Sequence, residues 1–111
     1  MAGDHVTAVT TEAQFDEIIK KGKPVIVDFW ADWCGPCVMM SPKFHDLAAA
    51  NPGLIFLSVN VDDVGDVSDK CKVEALPTFA IFNAGAEIES DRVVGANLDK
   101  LKALVEKAKT F

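Results

Sequence analysis

Cys34 and Cys37 stand three positions apart in Trp33-Cys34-Gly35-Pro36-Cys37, directly after the apolar run Val25-Ile26-Val27-Asp28-Phe29-Trp30. Two thiols at the point where a buried strand hands over to a helix make a redox couple. A helix leaves its first N–H groups unpaired and carries partial positive charge at that end, so it stabilises a thiolate placed there. The thiolate is the nucleophile of disulfide exchange, and a neighbour at i+3 can close back onto it. Pro36 suits a first helical turn, where its missing N–H costs nothing. The Gly35-Pro36 pair carries no charge. A histidine between the cysteines would stabilise the reduced thiolate and give a stronger oxidant, so its absence points to a reductant.

Two other chemistries compete for the same cysteines. One is a static disulfide. The other is zinc, which needs about four ligands and could draw on Cys71, His5 and His45. His45 lies eight residues past Cys37, roughly 12 Å further along one helix axis, and cannot close a tetrahedron with the pair. No metal site is expected. Asp62, Asp63, Asp66 and Asp69 lack the spacing and the closing glutamate of a calcium loop, and read as a solvated face.

The chain has 111 residues, half of them hydrophobic and a quarter charged, which suits one globular domain over 1–111. With 11 basic and 17 acidic residues its formal charge is −6, against the footprint expected for nucleic acid or an anionic membrane. No run approaches the roughly 18 apolar residues of a membrane span. Met1-Ala2-Gly3-Asp4-His5 lacks the basic-then-apolar pattern of a signal peptide. Three cysteines do not pair into a secreted framework, so a reducing, cytoplasmic setting is expected.

Around the motif the pattern reads βαβαβαββα. His5–Val9 is a short edge strand. Thr11-Glu12-Ala13-Gln14 has capping-box spacing, and Phe15, Ile18 and Ile19 then form a helical stripe ending at Gly22. Pro24–Ala31 reads as a central strand covered on both faces. A helix follows from about Cys34 to Ala50, bent by Pro42, with Met40, Phe44 and Leu47 on one face. Leu54–Val61 alternates as a strand, and Asp63 to about Cys71 as a short helix. Thr78–Phe82 and Glu87–Val94 form a hairpin through Asn83-Ala84-Gly85. Asn97 caps a last helix through Leu98, Leu101, Val105 and Ala108. The result is an α/β fold, a central mixed sheet with helices on both faces, and its sites belong outside the carboxyl ends of the strands. Trp30, Met39 and Met40 read as packing residues, and Trp33 as the more exposed tryptophan beside a partly exposed Cys34.

From about His5 to Lys107 the chain resembles the thioredoxin family, in its small, single-domain form with a Trp-Cys-Gly-Pro-Cys motif, similar to eukaryotic cytosolic members. Asp28 to Cys37, Pro42, Pro77-Thr78-Phe79 and Gly95-Ala96 carry the resemblance. It implies a thioredoxin fold and a protein disulfide reductase, an electron carrier recharged by an NADPH-dependent thioredoxin reductase. No cofactor would be bound beyond the Cys34–Cys37 disulfide itself. Expected partners are that reductase and disulfide-containing proteins of the peroxiredoxin, methionine sulfoxide reductase and ribonucleotide reductase types, met by a monomer. Cys34 is the attacking thiol and Cys37 the resolving one. Asp28 is either a structural polar residue or a base of raised pKa that moves the Cys37 proton, through water. Pro77 resembles the family's cis proline, against the simpler reading of a trans proline starting a strand. Trp33, Gly35, Pro36, Leu76, Pro77, Gly95 and Ala96 would form the docking surface, with Asp62 orienting Trp33.

Four departures bear on tuning. Val38 replaces a common lysine after the second cysteine. Ser58 stands on the strand where relatives often carry a charge near the buried aspartate. Cys71 is an extra thiol, either buried and inert or regulatory through oxidation or dimer formation. Ala75 is not a cysteine. An oxidase or isomerase domain, or a scaffold subunit whose activity resides in a partner, are the competing functions.

Overall fold

Val25–Trp30 (β2) is the centre of the sheet because it can be buried on both sides. Five of its six residues are buried, including Asp28. The computed structural model describes residues 5–111; most of the segment read for a signal peptide, Met1–Asp4, lies outside them. The other elements are β1 (Thr7–Ala8), α1 (Glu12–Ile19), α2 (Gly35–Ala50), β3 (Ile55–Asn60), α3 (Gly65–Lys70), β4 (Thr78–Asn83), β5 (Ala86–Glu87), a 3-10 turn (Glu89–Asp91), β6 (Val93–Val94) and α4 (Leu98–Ala108).

Strand order is β1-β3-β2-β4-β5, with β6 also on β4. The β1–β3 and β3–β2 pairs are parallel; β4 is antiparallel to β2, β5 and β6. Alternation along the strands divides the core by face. Ile26, Phe56, Phe79 and Ile81 pack with Met40 and Phe44 of α2 and Leu101 and Val105 of α4. Val25, Val27, Phe29, Leu57 and Val59 pack with Phe15 and Ile19 of α1, with Val67 of α3 and with its N-cap residue Val64. Asp28 has the parity of Ile26 and therefore points to the α2 side.

Register decides what meets at the site. β2 ends at Trp30, level with Asn60 at the end of β3. Because β4 runs the other way, it begins at Thr78 opposite Phe29, which puts Pro77 at the same end. Thr78 in turn pairs with Val94 of β6, so Gly95 arrives there too, its N–H donating to the Pro77 carbonyl at 2.8 Å. Four separated stretches of chain thus converge on one edge.

The elements differ in detail from the sequence pattern. Glu87–Val94 is not one strand. Two short strands flank a 3-10 turn, where Glu89, Ser90 and Asp91 offer no apolar alternation to hold a ladder. The hairpin turn itself is Ala84-Gly85, both at positive φ, the backbone that a two-residue connection between twisted strands requires. α1 stops at Ile19. The Thr11 side chain accepts from the Gln14 N–H, but the Gln14 carboxamide reaches past Thr11 to the Thr10 N–H, so the reciprocal half of the capping box is displaced by one residue. α3 is six residues long, starting after Asp63 and Val64 and ending before Cys71. α2 continues through an exposed Pro42, which removes the donor for the Val38 carbonyl.

Candidate redox site at the start of the second helix

β2 delivers the chain to Ala31, and α2 starts at Gly35 with Cys34 as its N-cap. Pro36 occupies the first turn, where it displaces no intrahelical bond. The Cys34 sulfur accepts a hydrogen bond from the Cys37 N–H at 3.2 Å and is joined to the Cys37 sulfur in a disulfide. An amide that would otherwise be unpaired is therefore aimed at the sulfur that must carry negative charge after reduction. Cys34 is 6% exposed and Cys37 2%, so the order of accessibility is as expected. Cys34 is more covered than the sequence suggests, because Ala31, Trp30, Val61 and Leu76 pack around the pair.

Asp28 lies on the same face of the sheet, beneath α2, and is 4% exposed. Its Oδ1 has no hydrogen-bond partner among the described residues. Removal from water disfavours the carboxylate and pushes the pKa from 3.8 up to about 7. Its level neighbour on β3 is Ser58, half-buried and uncharged, so that strand offers the carboxylate no cation.

Opposite the pair, the Leu76–Pro77 peptide is cis. Pro77 is buried and Leu76 half-buried, and the Thr78 hydroxyl donates to the Ala75 carbonyl at 2.6 Å, tightening the bend. None of the hydrogen bonds among the described residues uses the Leu76 amide or carbonyl. Gly95 has φ +101°, a conformation that glycine adopts without strain, and it holds its N–H on Pro77. Ala96, which follows it, is exposed, as are Gly35 and Pro36 at the start of α2.

Trp33 is 72% exposed, and its indole N–H donates to Asp62 Oδ2 at 2.9 Å. Asp62 is itself fixed, since its N–H donates to Asn60 Oδ1 at 2.9 Å. Asn60 is a positioning residue that the sequence reading missed; the Asn-x-Asp spacing of a side-chain turn was its signal. Val38, Met39 and Val94 are large, exposed apolar side chains on the elements that border the dithiol. Met39 is thus not a packing residue, since position 39 faces outward on α2 while Met40 is buried. Trp30 is only half-buried, because it caps the disulfide instead of entering the main core.

Cys71 is elsewhere. It is the C-cap of α3, half-buried, and borders a separate hollow of about 430 Å³ with Phe15 and Phe82. Burial, reinforced by the Glu87 carboxylate, pushes its pKa from 9.0 up to about 11. Arg92, also unremarked in the sequence, secures this corner. It donates to both Glu87 carboxylate oxygens, at 2.8 and 2.6 Å, and to the Cys71 and Lys72 carbonyls. Among the described residues no cluster of three or more His, Cys, Asp or Glu could hold a metal ion, and no helix is long and apolar enough to cross a membrane.

Residues 6–107 match the family model described as Thioredoxin. Thioredoxin 1 of Plasmodium falciparum is 39% identical over 102 residues, 92% of this chain and 96% of that protein. A thioredoxin H-type of Chlamydomonas reinhardtii is 43% identical over 110 residues, covering 95% and 96%. Among solved structures, oxidised mitochondrial thioredoxin 3 from Saccharomyces cerevisiae superposes with a TM-score of 0.88 at 33% identity, over 96% of this chain and 99% of that one.

Proposed function

The chain belongs to the thioredoxin family, thiol–disulfide oxidoreductases, and on that footing we propose that it is a protein disulfide reductase. The Cys34 thiolate attacks one sulfur of a substrate disulfide. The substrate S–S bond breaks, its other sulfur leaves and takes a proton, and a mixed disulfide with Cys34 remains. Asp28 accepts the Cys37 proton, and the Cys37 thiolate attacks the Cys34 sulfur. The substrate leaves with both sulfurs reduced, and the two electrons it gained equal those lost in forming Cys34–Cys37. NADPH, acting through a thioredoxin reductase, restores the dithiol. The chain itself holds no cofactor in this cycle.

The observation that carries this reading is the Cys37 N–H on the Cys34 sulfur at the start of α2, which marks one sulfur of the pair as the stabilised nucleophile. Support also comes from the burial of Asp28 with its shifted pKa and from the unengaged Leu76 backbone, against which an extended substrate can pair as an added strand. Trp33, Gly35, Pro36, Leu76, Pro77, Gly95 and Ala96 supply the docking face, and Asp62 holds Trp33. Substrates of the peroxiredoxin, methionine sulfoxide reductase and ribonucleotide reductase types fit the chemistry, with the whole chain working as one monomeric domain in the cytoplasm.

Reduction of insulin disulfides, driven by NADPH and a thioredoxin reductase, tests the proposal. Turnover that depends on both cysteines is expected. Failure to reduce insulin when the dithiol is supplied pre-reduced would reject the reading in favour of a scaffold role.

A further inference from the structure

A groove of about 360 Å³ opens beside Cys34, between the Trp33 loop, α3 and the segment leading to Pro77. Its apolar lining comes from Trp33, Val61, Val73 and Leu76. The charged side chains that line it are Asp69 and Glu74, both exposed. Neither takes part in an ion pair among the described residues. Of the two neighbouring cations, Lys70 turns to Glu12 and Asp16 at 3.0 and 2.9 Å, and Lys72 lines the separate hollow at Cys71. Asp62, on the Trp33 side, is held by the indole and adds further negative charge to the rim.

We propose that this groove selects disulfide substrates whose reactive cysteine is flanked by lysine or arginine. The inference rests on the disulfide-reductase reading and adds the substrate class to it. A segment whose sulfur is engaged at Cys34 and whose backbone lies along Leu76 must run its neighbouring residues through the groove. Apolar contact with Trp33 and Val73 is indifferent to sequence, but a cation there meets two free carboxylates, and an acidic residue meets only repulsion. Exposed pairs of this kind are individually weak, so the preference should be about fivefold and salt-sensitive.

The test uses the full chain, chemically reduced, and three disulfide peptides that differ only in lysine, glutamine or glutamate beside the cysteine. Exchange rates are divided by those with dithiothreitol, which removes the peptides' intrinsic reactivity. The lysine peptide should react about fivefold faster than the glutamate peptide at low ionic strength, with the ratio falling towards one as salt is added. Asp69→Lys/Glu74→Lys should reverse the order, and Asp69→Asn/Glu74→Gln should flatten it. Equal normalised rates for the charged peptides, with the glutamine peptide reduced normally, would overturn the charge preference alone. A preference unchanged in both double variants would also overturn it. No exchange with any peptide would reject the reductase reading and this inference with it.

Discussion

Two cysteines in this chain sit at opposite ends of helices. Cys34 is the N-cap of α2, with a helix amide on its sulfur; Cys71 is the C-cap of α3, where the helix presents carbonyls and partial negative charge. Cys34 is 6% exposed and Cys71 half-buried, so exposure alone would choose the wrong thiol as the reagent. The two helix ends also differ in polarity. At α2 it favours the thiolate, whereas at α3 burial and the nearby Glu87 leave a thiol whose pKa is about 11. The amide that meets the Cys34 sulfur has no counterpart at Cys71, where burial and Glu87 both oppose the thiolate.

Loss of the thiol at the start of α2 has the largest expected effect. Cys34→Ser should abolish insulin reduction, since no other thiol among the described residues is the N-cap of a helix. Cys37→Ser should retain attack and accumulate mixed disulfides with substrates, visible by mass spectrometry. Normal turnover in either variant would defeat the mechanism.

The inert side is tested by alkylation. In a Cys34→Ser/Cys37→Ser background, a pKa of about 11 leaves only about one Cys71 in a thousand ionised at pH 8. Its reaction with iodoacetamide should therefore be about a hundredfold slower than that of an unstructured thiol. Unchanged turnover for Cys71→Ser belongs to the same prediction. Peroxide-driven dimers on a non-reducing gel would restore the regulatory reading.

Asp28 extends the comparison to a carboxyl. Its folded pKa of about 7 exceeds the ordinary 3.8, so the folded state loses stability as pH rises between those values and no further above them. Roughly three units correspond to about 4 kcal/mol. Asp28→Ala should therefore be more stable than wild type at pH 8, by up to that amount less a small cavity cost, and the gain should vanish near pH 4. Its reductase rate should fall about tenfold or more. Denaturant melts across pH beside a turnover assay check both. A destabilised, fully active variant would make Asp28 merely structural.

Smallest is Val38→Lys. It adds an exposed cation in the first turn of α2 and should move the onset of thiolate absorbance to lower pH by roughly half a unit. No movement would show that residue 38 points away from the sulfurs.

Much of this was legible in the sequence because periodicity and motif agreed. The buried run before Cys34, the Thr11 and Asn97 caps and the cysteine spacing are all local signals. Part of what escaped depended on partners far along the chain: nothing local reveals that Arg92 grips two carbonyls at the end of α3, whereas the turn by which Asn60 fixes Asp62 did carry a local signal in its spacing. Glu87–Val94 looks like one strand until the 3-10 turn divides it. Met39 and Met40 are adjacent and chemically identical, and only the rotation of α2 against the sheet turns one in and the other out.

The convergence of four strand ends has a consequence for folding. The motif is complete by residue 37, yet Asp62, Pro77 and Gly95 join it from later in the chain, across pairings that span the sheet. Such long-range closures come late and slowly. A nascent chain would carry its two thiols for some time before it carries the surface that chooses their partners. During that interval the cysteines lack the groups gathered around them in the folded chain, and dithiol–disulfide exchange at a complete site reports completion of the whole sheet, through to β6, not the presence of the motif.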